Sequence, residues 1–102
     1  MVPAAHAVVL AGLFVLATPA LASSLTSLQQ AASRCFGSPS ADHCAGVWDL
    51  SNQVKHQADK SNHLRCYSAV LALEANVAKA SLGSSDAKQQ AEALEETSRY
   101  CP

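Results

Sequence analysis

The sequence predicts an all-α protein made of two antiparallel helical hairpins, each closed by its own disulfide. Three observations carry that expectation. The chain after residue 22 is rich in Ala, Leu, Gln, Glu and Lys, and its Val residues never alternate with polar ones over a strand-length window. Gly and Pro are sparse there, and Gly37, Pro39 and Gly83 mark two turns. The four cysteines are symmetric about those turns. Cys35 and Cys44 lie equally far from the Pro39-Ser40 step, and Cys66 and Cys101 equally far from the Gly83-Ser84 step.

The first element reads as a leader. Residues 8–16 are apolar throughout, and Thr18-Pro19 precedes the small-x-small pattern Ala20-Leu21-Ala22. This predicts a signal peptide over 1–22, cleavage between Ala22 and Ser23, and a single helical domain over 23–102. The first six residues lack Lys and Arg, a departure from the usual basic start. The competing reading is an uncleaved anchor, but a core of about a dozen residues falls short of the roughly 20 that span a bilayer.

Helix A is expected from near Ser24 to about Cys35, with Gly37 just past its end. Ser40 suits the N-cap of the next helix, with Asp42 in its first turn. Gly83 suits a helix C-terminus, and Ser84 or Ser85 would cap a last helix running to about Tyr100, with Asp86 in its first turn. In an antiparallel hairpin the position numbers of facing residues add to a constant, and the apolar stripes obey this. In the first hairpin Leu25 would face Val54, Leu28 would face Ser51 or Leu50, Ala32 would face Val47, and Cys35 would face Cys44. In the second, Ala80 would face Ala87, Val77 Ala91, Leu73 Leu94, Val70 Ser98, and Cys66 Cys101. The cysteines thus extend the core stripes, which favours the sequential pairing among the three that four cysteines allow.

The middle leaves two architectures open. Residues 55–63 are polar on nearly every face. A break near 59–62 would fold the hairpins together as a small four-helix bundle. Alternatively, a long central helix, continuous or kinked near 59–62, would run from about Ala41 to Leu82 and be shared by both hairpins. The absence of Gly and Pro favours the unbroken helix. Trp48, Leu50, Leu64, Tyr67 and Leu71 would then be left partly exposed, as a partner surface or a homodimer seam.

Composition narrows the function. Seven basic and eight acidic residues give a net charge of −1, so no basic field exists to hold nucleic acid or an anionic membrane. A domain this small is marginal without staples, and an even cysteine count after an export signal supplies them. The expected setting is an oxidising one: periplasm, thylakoid lumen or extracellular space.

Other chemistry is weaker. No Cys-x-x-Cys pair exists for zinc or for thioredoxin-like redox work. His56, Asp59 and His63 would share one face of an unbroken helix, but the histidines would stand about 10.5 Å apart along the axis. Glu92, Glu95 and Glu96 cluster, yet Glu95 and Glu96 suit ion pairs with Arg99 better than an acid–base couple. No serine sits in a nucleophile-elbow pattern, and no phosphate-binding glycine loop is present.

The stretch Leu64-Arg65-Cys66-Tyr67-Ser68-Ala69-Val70-Leu71-Ala72-Leu73-Glu74, with Cys44-Ala45-Gly46-Val47-Trp48-Asp49-Leu50 upstream, resembles small exported four-cysteine helical proteins of cyanobacteria. That resemblance implies a periplasmic or thylakoid-lumen setting and no activity. The cysteine spacing differs from that of saposins, insect odorant-binding proteins and twin Cys-x9-Cys proteins.

The function expected is therefore a secreted, non-catalytic interaction module that binds a protein partner or a second copy. It would have no catalytic residue, no cofactor and no membrane span after signal removal. The alternative is a small-ligand or metal carrier using the Trp48–Tyr67 region or His56 and His63.

Overall fold

The computed structural model describes residues 19–102, with side chains from Ser23 onward. The apolar run at 8–16 lies outside the described residues. Four helices follow one another: α1 (Pro19–Gly37), α2 (Ala41–Lys60), α3 (Leu64–Ser81) and α4 (Ala87–Tyr100). They form an up-down-up-down bundle in which each helix packs on the next and α1 also touches α3 and α4. α1 as described begins before the expected Ser24 and passes through the Ala22-Ser23 step. Among the described residues no helix is long and apolar enough to cross a membrane.

The first hairpin has the expected faces. Leu28, Ala31, Ala32 and Cys35 of α1 are buried against Cys44, Val47, Ser51, Val54 and Ala58 of α2. Ser40 is the N-cap of α2, in extended backbone, and its side chain accepts a hydrogen bond from the His43 N–H. In the second hairpin Cys66, Val70, Leu73, Val77 and Ala80 all point inward from α3. Both disulfides join as the stripes require: Cys35 to Cys44 and Cys66 to Cys101, with Cα atoms 4.7 and 4.6 Å apart. They sit at opposite ends of the bundle.

Three expectations are corrected. The unbroken central helix does not form. α2 stops at Lys60, and Asn62 takes a left-handed conformation at φ 59°. The His63 N–H reaches the Ala58 carbonyl at 2.8 Å and the Asn62 N–H reaches Asp59 at 3.1 Å, a Schellman motif with asparagine where glycine is usual. Gly83 closes α3 with the same pair of bonds, Ser84 N–H to Lys79 and Gly83 N–H to Ala80. Asparagine tolerates this region because its side chain is short and polar.

The inward face of α4 is also rotated. Gln90, Ala93 and Thr97 are buried, whereas Ala87, Ala91 and Ser98 are exposed and Leu94 is half-buried. Apolarity alone selects the wrong stripe, because Thr97 can be buried at little cost. Its hydroxyl donates to the Leu94 carbonyl at 2.7 Å and accepts from the Gln29 amide at 3.0 Å. The third correction is the cap. Asp86 itself is the N-cap of α4 and accepts from the Gln89 N–H, in place of Ser84 or Ser85.

Candidate interaction surface

Trp48, Leu50, Leu64, Tyr67 and Leu71 are spread over the α2–α3 half of the molecule, but they do not form one surface. Leu50 lies on the α1 side of α2, beside Ala31, Arg34 and Gly46, and packs on the core. Tyr67 is also half-buried against the core. Its outer face lies under the Lys55 ammonium, 6.0 Å from the ring centre. The other three are open to solvent: Leu64 at 65 % of its full exposure, Leu71 at 46 % and Trp48 at 38 %. Leu82, 86 % exposed, belongs with them. It is the C-cap of α3.

A polar joint holds α2 to α3. The Ser51 hydroxyl, fully buried, donates to Glu74 Oε2 at 2.5 Å, and Lys55 Nζ donates to Glu74 Oε1 at 3.0 Å. The ion pair is only about one-sixth exposed, so solvent screens it less than a surface pair. Serine, lysine and glutamate in contact invite a catalytic reading. The geometry argues for structure instead, because no substrate atom reaches a hydroxyl with zero exposure. No sequence spacing links Ser51 to Glu74; only the packing of α2 on α3 joins them.

The end of the bundle near Cys66 sets two arginines around one aromatic ring. The guanidinium of Arg65 lies 5.7 Å from the Tyr100 ring centre and that of Arg99 lies 5.9 Å from it. Arg99 also pairs with Glu95, as its spacing predicts, and its pKa is raised first by the hydrogen bond with Tyr100 and then by the Glu95 charge. An open hollow of about 360 Å³ beside it is lined by Leu64, Arg65, Ser68, Ala69, Glu96 and Tyr100.

His56, Asp59 and His63 no longer share a face. The turn at 61–63 places His63 at the N-cap of α3, so the alignment that depended on an unbroken helix is lost. Among the described residues no group of three or more His, Cys, Asp or Glu side chains is placed to hold a metal ion. Comparison with protein-family models, curated proteins and solved structures finds no match.

Proposed function

We propose that this chain is an exported, disulfide-stapled interaction module that acts by presenting the outer face of α3 rather than by catalysis. One observation supports it above the others: Leu64, Leu71 and Leu82 stand in solvent on a small protein whose core is otherwise well closed. Exposed leucines grouped on one helix expose apolar area that binding would remove from water. The paired cysteines and the signal-like start favour an oxidising compartment. The carrier alternative has less behind it, since the histidine face is broken and Tyr67 is covered by Lys55.

The test is a Leu64→Glu/Leu71→Glu double variant. Both side chains are exposed, so the variant keeps its helical circular dichroism and both disulfides. It should lose the proteins, own-chain copies included, that crosslink to the wild type in its export compartment. An unchanged crosslinking profile would sink the surface reading. Titration of the oxidised protein with zinc, copper and haem checks the alternative, and a flat Trp48 emission removes it.

A further inference from the structure

The exposed leucines are part of a longer pattern. Leu64, Ser68, Leu71, Ala75, Ala78 and Leu82 follow one another at alternating steps of four and three along the side of α3 opposite its buried stripe. This is the spacing of a coiled-coil seam, with Leu64, Leu71 and Ala78 at d and Ser68, Ala75 and Leu82 at a. No residue of the seam is charged. Five of the six are exposed, and Ala78 is half-exposed. α3 therefore has two apolar faces, one spent on the bundle core and one without a partner among the described residues.

The charges beside the seam differ by edge. Arg65 and Lys79 lie on the edge toward α4, where Arg65 stacks on Tyr100 with Glu96 beside the same hollow, and Lys79 bonds Gln89. Glu74 lies on the edge toward α2, held by Ser51 and Lys55. These edges are the e and g positions that select partner and orientation.

We infer that the occupant of this face is a second copy of the chain, with the two α3 helices parallel about a two-fold axis. This rests on the interaction-module reading above. In that arrangement the α2 edge of each copy meets the α4 edge of the other, and Glu74 meets Lys79 of the second copy twice over. The antiparallel arrangement sets the two α4 edges together, with Arg65 against Lys79 twice over, a like-charge contact. The parallel two-fold also stacks each leucine on its own equivalent. The small residues Ser68, Ala75 and Ala78 let the helices approach closely between them. The seam covers one helix of about 27 Å, which is small against a standard interface, so the pairing is of micromolar strength.

Sedimentation equilibrium of the oxidised protein, isolated from cells with both disulfides intact, tests this from about 1 µM to about 1 mM. A reversible monomer–dimer equilibrium is expected. Leu71→Glu should weaken it by about 30-fold or more, the loss of one buried leucine per copy. Lys79→Glu should weaken it by about 5-fold, with helicity unchanged. Isotope-filtered NOEs in a mixed-label dimer should join Leu64 to Leu64 and Leu82 to Leu82. Contacts of Leu64 with Leu82 would overturn the parallel pairing. A chain that stays monomeric to the top concentration overturns self-association altogether. If Leu64→Glu/Leu71→Glu still loses crosslinked proteins in that case, the surface binds a foreign partner; if it loses none, the module reading fails as well.

Discussion

The two hairpins are stapled in opposite places. Cys35–Cys44 lies beside its own turn, nine residues apart, whereas Cys66–Cys101 lies at the mouth of its hairpin, 35 residues apart and farthest from Gly83. A crosslink that closes a short loop restrains few residues of the unfolded chain, although its worth falls only with the logarithm of loop length. One at the mouth restrains every residue of both helices in the unfolded chain. Chemically the two bonds are the same; their worth differs because of where each sits along the chain.

That difference sets the order of the expected effects. Replacing Cys66 and Cys101 together by Ala should cost about 4 kcal/mol on the loop-entropy model, and replacing Cys35 and Cys44 about 3 kcal/mol. Guanidinium unfolding of the two double variants measures both values. The reverse order would show that the mouth of the second hairpin is held by packing even when unlinked.

The joint between the hairpins carries no crosslink and sets a polar network beside the shared core. Ser51→Ala leaves one oxygen of Glu74 without its buried donor and should cost about 2 kcal/mol. A loss below a few tenths would mean that water replaces the hydroxyl. The two Schellman turns give a finer comparison. Gly83→Ala forces a Cβ into φ +87° and should cost about 1–1.5 kcal/mol. Asn62→Gly relieves the same conformation and should gain about 0.5 kcal/mol by thermal unfolding. If Asn62→Gly destabilises instead, the asparagine side chain contributes more than its backbone tolerance.

What could be read in advance follows the same physics. Cys35, Cys44, Cys66 and Cys101 were legible because they continue apolar stripes at helical spacing, and a disulfide needs its two stripes to face. The inner faces of α2 and α3 were legible because Val47, Val54, Val70, Leu73 and Val77 have no other reason to recur at that period. The inner face of α4 was not, because Gln90 and Thr97 are polar and Thr97 is tolerated inside through the Leu94 carbonyl and through Gln29 on another helix. The break near 59–62 was one of two open readings and not the favoured one, because its signal is a single asparagine rather than a glycine or proline. The outer seam of α3 was partly visible in Leu64 and Leu71. Its full length to Leu82 was hidden by the small residues Ser68, Ala75 and Ala78 that stand between the leucines.

The turn at Asn62 also divides the molecule covalently. Neither sulfur bridge crosses it, since one closes before residue 61 and the other after residue 63. A protease that nicks Gly37-Ser38 or Gly83-Ser84 leaves a molecule whose mass on a non-reducing gel is unchanged. A nick at Asn62-His63 releases two looped peptides with no covalent link, held to each other by the Ser51, Lys55 and Glu74 contacts, the Gln29 bonds to Thr97 and Ser98, and the shared core. Cleaved there, the protein becomes a two-piece complex that dilution alone can take apart.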